Sequence, residues 1–273
     1  MYETFYGFRE KPFHVTADPS FLYLSRHHQE ALAHLRYGIR ERLGFLMITG
    51  EVGTGKTTLA KTLVNQLENP TKTALLLNPN LSGRDLLKAI LLDFGLQNRG
   101  RSRGEFIQAI ERFLCELAVQ GRIAVLIIDE AQALSSNALE QVRLLSNVET
   151  PKHKLLQIVL VGQPELAKRL ASESSLRALN ERIAVRFRIH PLAEDEVASY
   201  IEHRLRIVGR KEPVRFTPGA SQLIARVSCG IPRRINLLCD RALLAGFVRE
   251  SYVIDESMVQ RVQEECAAAF IVS

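Results

Sequence analysis

The chain has 273 residues, 46% hydrophobic and 24% charged, which matches the globular average and excludes a disordered polypeptide. No apolar run approaches the ~20 residues of a membrane span, and the opening Met1-Tyr-Glu-Thr-Phe-Tyr6 lacks the basic start and apolar stretch of a signal peptide. Lys and Arg number 36 against 30 Asp and Glu, a net charge of +6 that permits nucleic acid, anionic membrane or acidic ligands without choosing among them.

Residues 1–24 are rich in Phe, Tyr and Pro and are expected to lie as a strap across the core. Strand-like apolar runs then follow at Phe45–Thr49, Thr73–Asn78, Ile123–Asp129, Leu155–Val161 and Ala184–His190. Between them stand helical periodicities, first Leu59, Leu63, Val64 and Leu67, then Phe106, Ile110, Phe113, Leu114 and Leu117. Near-continuous apolar strands alternating with helices predict a parallel sheet buried on both faces, an α/β core over residues 25–191. After Pro191 the pattern is helical, apart from Tyr252–Ile254, which reads as a strand or a loop. Gly230 is expected to close one helix in the left-handed conformation and Pro232 to open the next. Residues 192–273 therefore form a small helical domain. The cysteines (Cys115, Cys229, Cys239, Cys266) contain no C-x-x-C pair. They are expected to be reduced and mostly buried, as in a cytoplasmic protein, rather than a zinc site or a disulfide scaffold.

The string Gly50-Glu51-Val52-Gly53-Thr54-Gly55-Lys56-Thr57 fits G-x-x-x-x-G-K-[ST] between a predicted strand and a predicted helix. Average usage produces this pattern by chance on the order of once per hundred such chains. Glycines let the backbone wrap a phosphate, and successive N–H groups face the anion at a helix N-terminus. Residues Glu51, Val52, Gly53, Thr54, Gly55, Lys56, Thr57 and Thr58 are the expected cradle for ATP. Lys56 would reach the β- and γ-phosphates and the Thr57 hydroxyl would hold Mg²⁺. Ala124-Val-Leu-Ile-Ile-Asp129-Glu130 is an apolar strand ending in two carboxylates, at the sheet edge where open α/β folds bind ligands. Asp129 would serve Mg²⁺ and Glu130 would orient and polarise the attacking water.

A strand inserted between these motifs, with a carboxylate beside the magnesium Asp, resembles the AAA+ branch of P-loop ATPases. That resemblance implies a three-layer α/β/α core with a parallel five-stranded sheet and a C-terminal helical lid. It also implies sensor 1 at Gln163, after Leu155-Leu-Gln-Ile-Val-Leu-Val-Gly162, where an amide can bond the γ-phosphate or the lytic water. The arginine finger is implied at Arg182, with Arg186 in reserve, and sensor 2 at Arg233, with Arg234 next. Phe5-Tyr-Gly-Phe-Arg-Glu-Lys-Pro-Phe13, Asp18-Pro-Ser-Phe-Leu-Tyr-Leu-Ser25, His28-Gln-Glu-Ala31, Leu144-Leu-Ser-Asn-Val-Glu149, Val161-Gly-Gln-Pro-Glu-Leu166 and Gly230-Ile-Pro-Arg-Arg-Ile-Asn236 extend it. Together they resemble AAA+ ATPases of the general secretion pathway protein A and MSHA pilus biogenesis type, a group related to exosortase-associated and transposon target-selection ATPases.

The resemblance implies a homo-oligomer, ring or filament, that hydrolyses ATP at subunit interfaces and serves an envelope secretion or pilus machine. Its place would be the cytoplasm or the inner-membrane periphery. Either the chain is part of a longer, membrane-anchored protein or it is a short member of the group. The other class is a nucleic-acid-binding ATPase of transposition or replication, for which Asn98-Arg-Gly-Arg-Ser-Arg-Gly104 is the best feature: its arginines would release counterions on a phosphate backbone. No helix-turn-helix or stacking motif accompanies that loop. No motif assigns the adenine contact; by position alone, Pro12, Phe13, Phe21 and Tyr23 of the strap are the candidates.

Overall fold

The computed structural model describes residues 1–67, 71–77, 79–97, 100, 102–151, 153–209 and 214–270, with side chains to 265. It divides into two compact units: an α/β unit of residues 26–52 and 56–189, and a helical unit of residues 1–25, 53–55 and 190–273. In chain order the elements are α1 (Tyr2–Tyr6), α2 (Arg26–Arg40), β1 (Phe45–Gly50), α3 (Lys56–Gln66), β2 (Thr71–Leu76), α4 (Gly83–Asp93), α5 (Arg103–Val119) and β3 (Ile123–Ile128). They continue as α6 (Ser136–Leu145), β4 (Leu156–Gly162), α7 (Pro164–Ser172), α8 (Arg177–Asn180) and β5 (Ile183–Ile189). The chain then runs through α9 (Glu194–Val208), β6 (Arg215–Phe216), α10 (Pro218–Ser228), α11 (Pro232–Val248), β7 (Val253–Ile254) and α12 (Glu256–Phe270).

The sheet of the α/β unit has the order β2-β3-β4-β1-β5, with every neighbouring pair parallel. Central β1 and β4 are buried at every residue, whereas edge strand β5 is buried only at its two ends and alternates between exposed and half-buried residues in between. That difference is the mark of strands covered on two faces against one that ends the sheet. Met47, Leu126, Ile158 and Leu160 lie in one core with Leu86 and Ile90 of α4 and Ile110 and Leu114 of α5. Alternate residues face the other way, where Gly38 of α2 packs so closely on Leu46 that an added Cβ would come within 2.1 Å of its side chain. The result is the expected three-layer α/β/α arrangement. The second predicted strand, Thr73–Asn78, is shifted toward the N-terminus as Thr71–Leu76, and Asn78 lies outside the described residues. Helix α5 begins with a capping box, in which Ser102 Oγ accepts from the Glu105 N–H and Glu105 accepts from the Ser102 N–H.

In the helical unit, Val197 and Leu205 of α9, Ile224 of α10, Ile235 and Leu238 of α11 and Val259 of α12 build a separate core. The segment expected as a strap across the α/β core belongs instead to this second core, to which it contributes Tyr2, Tyr6, Phe8, Phe13 and Phe21. The physical reason is the hydrogen-bond requirement of an irregular buried chain. Buried Arg204 of α9 donates to Pro12 O at 2.6 Å and His14 O at 3.0 Å, and Tyr6 Oη donates to Leu243 O and Ser251 O, both at 3.1 Å. Burial pushes the Tyr6 phenol up to about 12. The Tyr252–Ile254 ambiguity resolves as a strand, since β7 pairs in parallel with β6. Cys239 is buried, but Cys115 and Cys229 are exposed, so the expectation of mostly buried thiols is corrected. Both sit on helix surfaces or ends, where the periodic apolar face is supplied by other residues.

Cys229, not Gly230, takes the left-handed cap of α10, at φ 51°, and Gly230 follows in the same region at φ 69°. Gly230 is nevertheless required. Its carbonyl accepts the Leu192 N–H at 2.9 Å, and a Cβ on it would stand 2.1 Å from Leu192 O. Gly230→Ala should therefore lose about 2–4 kcal/mol through combined strain and overpacking. An unchanged thermal midpoint in calorimetry would refute this.

Candidate functional site

The C-terminal ends of β1, β3 and β4 gather most of the polar side chains that the motifs singled out. The strands end together because their registers align Thr49 with Gly162 and bring Ile128 beside Leu160. Lys56, the first residue of α3, is 5% exposed, and its Nζ donates to Gly50 O at 2.8 Å and Glu51 O at 2.9 Å. Burial lowers its pKa, and Glu130 and Asp129 act in the opposite sense. Thr57 Oγ1 donates to Asp129 Oδ2 at 2.5 Å, which joins two residues far apart in sequence. Thr58 is the next residue of the same helix, and its carbonyl accepts from Thr62 Oγ1 at 2.9 Å.

Asp129 is 2% exposed and extends the β2–β3 pairing, because its N–H donates to Leu76 O at 2.9 Å. Burial raises its pKa, opposed by the Thr57 hydroxyl and by the Glu130 N–H at 2.9 Å from Oδ1. Glu130 occupies the left-handed region at φ 51°, which costs a non-glycine residue about 1–3 kcal/mol and is typical of functional turns. It precedes a short 3₁₀ turn, Ala131–Ala133, but its side chain does not cap that turn. Its Oε2 instead accepts from Gln132 Nε2 and, at 3.3 Å, from Gln163 Nε2. Gln163 opens α7 without capping it, so its amide is committed to Glu130 and not to its own turn.

At the other sites the residues stand apart. Val52 is exposed and Thr54 is buried. Gly53 and Gly55 have φ of 82° and 91°, a backbone that only glycine adopts without strain. The tip Gly53–Gly55 groups with the helical unit, where Gly53 O accepts the Arg233 N–H at 3.2 Å and a Cβ on Gly53 would come 2.6 Å from Arg233 Cβ. Arg233 is the second residue of α11, after Pro232 at the helix start. Arg182 lies at the opposite end of the sheet from the phosphate loop. It precedes β5, whose first residue Ile183 aligns with Phe45, whereas the loop follows Gly50. Five strand steps separate these ends, about 17 Å. Its Nη1 donates to Ser146 Oγ at 3.0 Å and Asn147 Oδ1 at 2.6 Å, just past the end of α6. Arg186 donates to Asn180 Oδ1 at 2.9 Å, and Arg188 pairs with Glu51 at 3.3 Å.

Phe13 and Phe21 are each 2% exposed in the helical core, Phe21 beneath the Arg204 guanidinium at 4.5 Å, and Tyr23 packs on Tyr200 and His203. Of the arginine loop Asn98–Gly104, residues Asn98, Arg99 and Arg101 lie outside the described residues. Sequence reading passed over Gln132 and Arg169. Arg169 of α7 donates to Gln132 O at 2.7 Å and Leu134 O at 3.0 Å, and pairs with Glu173 at 2.9 Å. An amide three residues after Asp129 was the available signal for Gln132; none existed for Arg169. Among the described residues no group of three His, Cys, Asp or Glu side chains could hold a metal, and no helix is long and apolar enough to cross a membrane.

Comparisons with known proteins bear on the family and the fold. A family model described as an AAA domain matches residues 39–170. General secretion pathway protein A of Aeromonas hydrophila is 46% identical over 255 residues, which cover 93% of this chain and 46% of that protein. The chain thus spans less than half the length of that relative. Among solved structures, the ORC2 protein of Aeropyrum pernix in its ADPNP–ADP complexes is similar at a TM-score of 0.67 and 18% identity, over 87% of this chain and 66% of that one. Cdc6p of Pyrobaculum aerophilum gives 0.68 and 18%, over 90% and 70%. The RuvB Holliday junction branch migration motor of Thermotoga maritima gives 0.58 and 21%, over 87% and 67%. At such identities these likenesses speak for the fold alone.

Proposed function

The chain belongs with the AAA proteins and is related to general secretion pathway protein A, and on that premise we propose that it hydrolyses ATP to ADP and phosphate at interfaces between copies of itself. The convergence of Lys56, Thr57, Asp129, Glu130 and Gln163 at one sheet edge carries this reading. The N–H groups of Glu51–Thr58 would cradle the phosphates, with Lys56 turning from Gly50 O and Glu51 O to the β- and γ-phosphates. Glu130 would accept the proton of the attacking water, while Gln163 would bond that water or the γ-phosphate. Arg233, beside the loop tip, would add a fixed positive fork.

The residues present fit Mg²⁺. The Thr57 hydroxyl and Asp129 carboxylate are hard oxygen donors already within hydrogen-bond distance of each other, and Mg²⁺ usually takes only one or two protein oxygens beside phosphates and waters. When bound there, the ion would neutralise charge developing on the β- and γ-phosphate oxygens. Arg182 is about a strand length from its own loop, which supports its acting on the site of a neighbouring copy. Kinship with a secretion-pathway protein supports an envelope-assembly role, of type II secretion or type IV pilus kind, at the cytoplasmic side or inner-membrane periphery.

Lys56→Ala tests the site itself. It removes a buried cation and donor together, so affinity for a fluorescent ATP analogue should fall at least about 100-fold. Equal affinity in the variant and the parent would show that nucleotide binds elsewhere.

A further inference from the structure

Two amides close on a single oxygen of Glu130, and a third hydrogen bond decides the orientation of one of them, that of Gln132. Gln132 Nε2 and Gln163 Nε2 both donate to Glu130 Oε2, while the backbone N–H of Gln163 donates to Gln132 Oε1 at 3.1 Å. That last bond requires an acceptor, so the oxygen of the Gln132 amide faces Gln163 and its nitrogen must face Glu130. Among the described residues Glu130 Oε1 accepts nothing, which leaves its lone pairs to a water.

The support around Gln132 is built on both sides. Arg169 grips the backbone that carries it, through Gln132 O and Leu134 O, and Glu173 holds Arg169. At the end of β4, Gly162 leaves the space the amide occupies, since a Cβ there would stand 2.8 Å from Gln132 Oε1. Glu130 itself is held at φ 51°, so its backbone is set by surroundings and not by preference.

We propose that Gln132 is a positioning residue for ATP hydrolysis, bridging the β4 end to Glu130 and holding the carboxylate by Oε2 so that Oε1 is presented to the attacking water. This rests on the reading of Glu130 as the group that activates water. Gln132 acts through Glu130 and touches no substrate atom. Without it the carboxylate keeps one weaker amide donor and gains rotational freedom, and small displacements of a catalytic group are costly.

Gln132→Met keeps the length of the side chain and removes both amide bonds. Turnover of ATP should fall about 10–100-fold with KM and fluorescent-nucleotide affinity unchanged. In a Glu130→Gln background the same substitution should cost nothing more, because the two act as one unit. A readout independent of turnover is amide hydrogen exchange at Gln163, which should accelerate once Gln132 Oε1 is gone. Gly162→Ala displaces the same amide from the other side and should reproduce the loss of kcat, also where Gln132→Met folds poorly. Unchanged exchange at Gln163, unchanged kcat, or a parallel rise in KM would each overturn the proposal. Glu130→Gln turning over like the parent would instead overturn the underlying reading of Glu130, whatever Gln163 exchange showed.

Discussion

Arg182→Ala subunits should bind ATP normally and hydrolyse it about 10³–10⁵-fold more slowly, the range over which arginine fingers stabilise transition-state charge. Arg182 leads into β5 beside the start of β1, and the phosphate loop leaves from the other end of β1. No rotamer spans a strand of six residues, so any phosphate contact by Arg182 belongs to another copy. Ser146 and Asn147 hold the guanidinium at its present place, which lowers the entropy lost when it meets a ligand. Parent activity should then rise more steeply than linearly with protein concentration. Arg182→Ala subunits retain Lys56, and Lys56→Ala subunits retain Arg182, so mixing two inactive variants should restore part of the rate. A dead mixture of demonstrably co-assembled variants would count against trans action by Arg182. Arg186, whose guanidinium bonds Asn180, would be examined next in the same way.

Glu130→Gln should bind ATP with parental affinity and lose at least about 100-fold in steady-state turnover. The amide matches the carboxylate in shape but cannot take a proton from water. It also meets Gln132 Nε2 and Gln163 Nε2 with only one acceptor atom, so a flipped amide would leave donors facing donors. Correct docking of the new side chain is therefore part of the experiment, and retained nucleotide affinity is its control. Because ATP persists in the variant, sedimentation in saturating nucleotide should give the largest assembled form. Parental turnover would remove Glu130 from its assigned role.

Much of the α/β unit was legible from local pattern. Near-continuous apolar runs such as Ala124–Ile128 have one comfortable solution, a strand covered on both faces, and the phosphate-loop string declares the turn after β1 by its glycines and lysine. Pro232 opened α11 as its ring geometry dictates. These features depend on residues within a few positions of one another, so the sequence alone contains their physics.

What only tertiary structure decided involves partners far apart in the chain. The order β2-β3-β4-β1-β5 places the end of β3 beside the end of β4, and only then can Gln132 meet Gln163 across 31 positions. Periodicity cannot show such a pairing, since it reports which face is apolar and not what covers it. The N-terminal aromatics were visible as apolar but not as to destination. Arg204 and the carbonyls of Leu243 and Ser251 drew them into the helical core, because a buried irregular backbone and a buried phenol each need a partner that the local sequence does not supply.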